Sequence, residues 1–138
     1  MGLLNVFDIA GSGMSAQSVR LNTVSSNMAN ANNVSGDKDG VYKAKNPVFS
    51  TVMFNLQHGT PESAGVRVVD IKESTRPAIQ RYEPNNSLAN EDGYIFQSNV
   101  NVIEEMTNMI SSSRSYQNNV EVLNTAKQLM QATLKLGE

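Results

Sequence analysis

Apolar residues recur along the N-terminal stretch in alternating steps of four and three: Leu3, Phe7, Ala10, Met14, Leu21, Val24, Met28 and Ala31, with Gln17 as the polar interruption. That spacing turns one stripe of a helix toward a partner, as in the seam of a coiled coil. Gly11 and Gly13 each cost about 1 kcal/mol of helix stability relative to alanine, so the opening residues are expected to form a separate segment or a kink. The C-terminal stretch repeats the pattern through Val102, Met106, Met109, Ser113, Tyr116, Val120, Leu123, Lys127, Met130 and Leu134. Ile103, Ile110, Ala126 and Leu129 widen that stripe to one side. At about 1.5 Å of rise per residue, each arm would reach roughly 45 Å.

Between the arms the period changes. "GVYKAK", "VFSTVMFNL", "GVRVVDIK", "AIQRYEP" and "GYIF" are short runs rich in Val, Ile, Tyr and Phe, separated by "SGDKDG", "HGTPESAG" and "EPNNSLANEDG". Pro47 precedes the second run and Pro77 and Pro84 flank the fourth, which favours a few short antiparallel strands over a large sheet. Segment 57–65 reads as a mobile loop, and Asp39-Gly40 as a hairpin turn. The expected fold class is α+β: two long terminal helices packed as a coiled-coil-like hairpin, with a small antiparallel β insert between them. The expected division is an N-terminal arm over 1–35, an insert over 36–97 and a C-terminal arm over 98–138.

The polar faces of the arms are unusual. From Leu21 to Ser35 there are five asparagines and no charge, and residues 1–35 contain only Asp8 and Arg20 as charged groups. The insert carries Lys38, Lys43, Lys45, Arg67, Lys72, Arg76 and Arg81 against eight acids, the pattern of ordinary solvated surface. On the arms, Ser15, Ala16, Ser18, Ser25, Ser26, Ala29 and Asn30, with Ser111, Ser112, Ser115, Asn118 and Asn119, are small and uncharged. Burying an unpaired charge costs several kcal/mol, whereas a satisfied amide is nearly neutral. These faces therefore suit protein on every side, in a crowded assembly of copies or paralogues.

Bulk properties exclude several classes. A chain of 138 residues fits one modest domain. A formal net charge of -2 and a pI near 5.4 offer no basic footprint for nucleic acid and no polybasic membrane patch. Cysteine is absent, which removes disulfides and thiolate metal sites. No apolar run is long enough to span a bilayer, so direct membrane insertion is not expected. "MGLLNVFDIAGSG" lacks a basic n-region and is broken by Asp8, so a cleavable signal is not expected either.

Candidate chemistry is sparse. His58 is the single histidine, in a Gly/Pro loop, and reads as a solvated residue. "DKDG" at 37–40 lacks the remaining ligands of a calcium loop. Glu104 and Glu105 are adjacent and cannot face each other as an acid–base couple, and Glu105 beside Asn101 reads as ordinary helix decoration. "GSG" at 11–13 is too short to cradle phosphate and has no following lysine. Met14, Met28, Met106 and Met130 fall in the seams, where packing outweighs a plastic groove. No catalytic, cofactor-binding or metal site is expected, and the chain is not expected to be an enzyme. Tyr116, beside Arg114 and Gln117, reads equally as a packed aromatic or as an anchor between subunits.

"LLNVFDIAGSGMSAQSVRLNTVSSNMANANNVSG" and "NVNVIEEMTNMISSSRSYQNNVEVLNTAKQLMQATLKLG" resemble the opening and closing segments of the proximal rod proteins of the bacterial flagellar basal body, of the FlgC type. "SNMANAN", Ser26 to Asn32, is shared across the wider axial rod and hook family, while "FDIAGSG", "AQSVRLN" and the short insert point to this rod type. The resemblance covers both arms. It implies a structural subunit whose terminal helices pack with neighbours as the inner layer of a hollow, torque-transmitting shaft. It implies export by the flagellar type III apparatus and assembly in the periplasm, with the arms gaining order on joining the rod. Implied partners are other copies, the other proximal and distal rod proteins, and the basal-body protein joining rod to export gate. Carried over by position, the implied assembly residues are Asn27, Ala29, Asn30, Arg114, Ser115, Tyr116, Gln117, Val120, Glu121 and Asn124. Asn118, Asn101 and Met28 depart from the Ala, Asp and Leu usual at those places. A helical-hairpin secretion adaptor or chaperone and a paralogous rod subunit are the alternative readings.

Overall fold

The computed structural model describes residues 3–57 and 60–136. In chain order its elements are α1 (Leu3–Ala29), β1 (Val34–Ser35), β2 (Lys45–Gln57), β3 (Thr60–Glu73), β4 (Ile79–Tyr82), β5 (Tyr94–Gln97) and α2 (Val102–Leu136). This is an α+β fold, with a helix at each end and two small antiparallel sheets between them. α1 runs unbroken through Gly11 and Gly13, so the opening residues are not a separate segment. Packing against the rest of the chain outweighs the helix propensity lost at the two glycines.

α1 and α2 lie against each other in opposite directions. Asn27 near the end of α1 meets Glu105 at the start of α2, Gly13 meets Asn119, and Val6 shares a groove with Ala126. The helices differ in length, 27 against 35 residues, so the last turns of α2 run past the start of α1. Asn101 begins α2: its Oδ1 accepts from the Ile103 and Glu104 N–H groups at 3.1 and 3.3 Å. That is the N-cap geometry, which satisfies two of the four free donors of the first turn.

The insert is longer-stranded than the sequence pattern predicts. β2 and β3 form one antiparallel ribbon of 13 and 14 residues. The mobile loop expected at 57–65 is overturned: Gln57 ends β2, and 60–65 are β3 residues paired with it. Ser63, Ala64 and Gly65 have little strand preference, but they lie opposite Phe54, Met53 and Val52, and pairing with an established strand overrides propensity. His58 lies outside the described residues. Pro47 sits inside β2 opposite Ile71, which a two-stranded ribbon tolerates because both of its strands are edges. A bulge after Val48 leaves Val69 as the extra residue and turns Val66 and Val68, with Val52, toward Ser12, Ala16 and Val19 of α1. The Val66 N–H donates to Ser12 Oγ at 3.1 Å, so a helix hydroxyl satisfies a donor on the ribbon edge.

"GVYKAK" does not become a strand ahead of Lys45, nor does Asp39-Gly40 close a hairpin. The backbone there is satisfied otherwise. Ala44 N–H donates to Asn99 Oδ1 at 2.7 Å, and Ala44 C=O accepts from Ser74 N–H at 2.7 Å. β1 instead pairs with β5, giving a sheet of order β1-β5-β4. Its centre is Ile95, only 2% exposed. The connection from β4 to β5 is held by Asn86 and Asn90, whose side-chain oxygens accept from backbone N–H groups of Leu88, Asp92 and Tyr94. It ends on Gly93 at φ +78°, a left-handed conformation that glycine adopts without penalty.

Asn101→Ala should destabilise the chain by about 1 kcal/mol, and Asn101→Asp should retain stability, because a carboxylate caps the same N–H groups and favours the helix dipole. Urea denaturation midpoints followed by helical circular dichroism check both.

Candidate assembly interface

Two surfaces matter: the seam within the helix pair and the faces the pair leaves bare. The seam centres on Asn27, which is 1% exposed. Its Nδ2 donates to the Lys45 carbonyl at 2.8 Å and to Glu105 Oε2 at 3.0 Å. Its Oδ1 accepts from the Lys45 N–H at 2.8 Å and from Tyr42 Oη at 2.9 Å. Two donors and two acceptor sites are thus all used. One amide joins α1, the root of β2 and α2.

The network continues along the seam. Asn108 Nδ2 lies 3.5 Å from Glu105 Oε1, and Arg20 Nη2 donates to Asn108 Oδ1 at 3.0 Å. Ser112, fully buried, turns its hydroxyl back to the Asn108 carbonyl at 2.7 Å. Glu105 is therefore not surface decoration: it is 6% exposed and held by neutral amides. Its burial follows from the line Glu105, Ser112, Asn119 and Ala126, spaced by seven along α2, which is the line that faces α1. That regular spacing of small and polar residues was the available signal, and an apolar-only reading passes over it.

The C-terminal stripe read from the sequence is accordingly rotated outward. Met109, Ser113, Val120, Leu123 and Met130 are half-buried, whereas Val102, Met106, Tyr116, Lys127 and Leu134 are exposed. Ile103 is 77% exposed, Ile110 55% and Leu134 68%. Small residues take the inner line because they let two backbones approach; a Cβ added at Gly13 would stand 2.9 Å from Asn119 Nδ2. The N-terminal stripe keeps its inward position, with Ala10, Val24 and Ala31 buried. An open groove of about 470 Å³ lies between Val6 and the α2 residues Asn118, Glu121, Val122, Thr125, Ala126 and Leu129. Accessible surface totals 9285 Å² for 15.0 kDa, against roughly 7,000 Å² for a compact monomer of this mass. The buried apolar set is small in number and mostly Ala and Val.

The residues implied by resemblance fall into separate environments. Asn27 is spent within its own chain. Asn30 donates from Nδ2 to the Ser26 carbonyl at 2.8 Å, closing the last turn of α1, and Ala29 beside it is exposed. Ser115 and Val120 are half-buried, and Arg114, Tyr116, Gln117, Glu121 and Asn124 are exposed. Asn27 and Asn30 thus sit at one end of the pair, while Arg114 to Asn124 share the middle of α2. Among the described residues no group of three or more His, Asp or Glu side chains could hold a metal, and no helix is long and apolar enough to cross a membrane.

Both helical ends match known proteins. Residues 7–38 match the family described as "Flagella basal body rod protein", and residues 91–136 match "Flagellar basal body rod FlgEFG protein C-terminal". These matches define the class as a flagellar basal-body rod protein. The chain is 52% identical to flagellar basal-body rod protein FlgC of Yersinia enterocolitica and 51% identical to that of Escherichia coli O157:H7, each over 138 residues and the full length of both chains. It is 30% identical to FlgC of Borreliella burgdorferi over 151 residues, covering 99% of this chain and 98% of that one. The chain belongs to the FlgC family, and it is a structural subunit of the flagellar basal-body rod.

Asn27→Asp should destabilise the fold by about 3 kcal/mol or more, because it removes both donors and sets a second carboxylate against buried Glu105. Adding Glu105→Gln should recover part of that loss. Equilibrium denaturation of the single and double variants measures the coupling.

Proposed function

We propose that this chain builds the proximal segment of the rod, polymerising through its terminal helices into a torque-transmitting shaft that encloses a channel. The observation that carries this reading is the bare apolar surface of α2, where Ile103, Met106 and Ile110 stand exposed on the face turned from α1, and Leu129 and Leu134 stand exposed nearer its end. Exposed apolar residues aligned in this way belong to a surface that is covered in use. Arg114, Tyr116, Gln117, Glu121 and Asn124 lie on α2 among them and make no hydrogen bond or ion pair within the chain among the described residues. They supply polar anchoring to neighbours, with Ser115 and Val120 supporting them from the seam and Ala29 and Asn30 contributing from the end of α1.

In this reading the helix pair is a coiled-coil-like hairpin, and neighbours complete the knobs-into-holes packing that one protomer leaves open. Neighbours are further copies, the other proximal and distal rod proteins, and the basal-body protein that joins the rod to the export gate. The subunit reaches the periplasm through the flagellar type III apparatus, keeping its N-terminus, and performs no catalysis. Torque passes between subunits because a close-packed interface transmits strain instead of absorbing it.

Tyr116→Ala, and separately Ile103→Glu combined with Ile110→Glu, should leave the stability of the chain within about 0.5 kcal/mol while abolishing swimming and rod completion. Soft-agar motility and electron microscopy of isolated basal bodies provide the readout. Wild-type swimming by both variants would remove the outer face of α2 from the interface.

A further inference from the structure

The apolar repeat that flanks the seam between α1 and α2 does not by itself distinguish one register from another. Phe7, Met14, Leu21 and Met28 stand seven residues apart on α1, as do Met109, Tyr116, Leu123 and Met130 on α2. Sliding one helix along the other by that interval sets apolar against apolar again. The same repeat also accepts α2 of another copy as readily as the chain's own.

The polar contacts break this degeneracy. Gly13, Arg20 and Asn27 share the seven-residue spacing, yet each meets a different group. Asn27 donates to Glu105 at 3.0 Å, Arg20 donates to Asn108 at 3.0 Å, and Gly13 leaves the space that the Asn119 amide occupies. A slip by seven residues separates Asn27 from Glu105, setting the carboxylate against Arg20 in one direction and beyond the end of α1 in the other, and in both it presses Asn119 against a position that carries a side chain. Mismatched polar groups are strongly unfavourable, whereas matched ones are close to neutral. Such contacts contribute choice more than strength.

We propose that Asn27–Glu105, Arg20–Asn108 and Asn119 seated on Gly13 form a selectivity code that closes α2 on its own α1 in a single register. The code concerns pairing within the chain and does not rest on the polymerisation reading.

The chain contains no cysteine, so introduced thiols report pairing without background. Val6→Cys with Ala126→Cys, refolded from denaturant and treated with a short bis-maleimide that spans the groove between them, should give an intrachain crosslink. A mixture of the two single variants should give no crosslinked dimer. Replacing Asn119, Arg20 and Asn108 together by leucine should retain helical content but lower the intrachain yield, and mixed single-cysteine chains in that background should crosslink to one another. Asn119→Ala alone, a smaller change, should move the products in the same direction. The proposal is overturned if the leucine chain pairs only with itself as the wild type does. If the leucine chain does not fold, an unchanged product pattern for Asn119→Ala overturns it. Failure of the wild-type background to form the intrachain link overturns the register itself.

Discussion

A single buried amide sets the geometry of this molecule. Asn27 holds both the N–H and the C=O of Lys45 while also reaching Glu105 and Tyr42. The β ribbon leaves the helix pair at Lys45, so the same side chain that ties α1 to α2 also fixes where the ribbon departs. No aliphatic residue could replace it, because Lys45 would then have two buried backbone groups without partners. The cluster therefore couples the two helices to the insert. Displacement of one element requires breaking bonds to the other two.

The same device recurs through the insert. Asn99 accepts from Ala44 and donates to the Arg76 carbonyl at 2.6 Å, Asn90 and Asn86 order the β4–β5 connection, and Asn101 starts α2. Short amide side chains can stand in for strand partners wherever the backbone is irregular. Among the described residues little apolar core is built: Ile95, Asn27, Ser98 and Ser112 are the largest fully buried side chains. Amide bonds impose position where bulk hydrophobic packing is scarce.

Much of this was legible in the sequence. Two long helices, strands at "AIQRYEP" and "GYIF", and the loop between them all follow from periodicity and turn residues. Which stripe of α2 turns inward was not legible, because apolar spacing marks every face that will be buried and does not say by whom. On α2 much of the apolar stripe stands exposed, and Glu105, Ser112 and Ala126 take the inside. The strand status of 60–65 and the loss of a strand at 41–44 were also hidden. Both depend on what lies opposite: a paired strand in one case, the side chains of Asn27 and Asn99 in the other. Of the residues implied by family resemblance, Asn27 has a role within the protomer that no local pattern announces.

The joint between α1 and α2 consists mainly of neutral amides, hydroxyls and small apolar groups in close contact. Dissolved ions weaken interactions between exposed charges over a Debye length of about 8 Å at 0.15 M, and they have little purchase on contacts of this kind. Among the described residues the ion pairs Lys43–Asp39, Arg76–Glu104 and Arg81–Glu83 each draw at least one partner from the insert and lie at its surface. A joint fastened in this way changes little between dilute and concentrated salt.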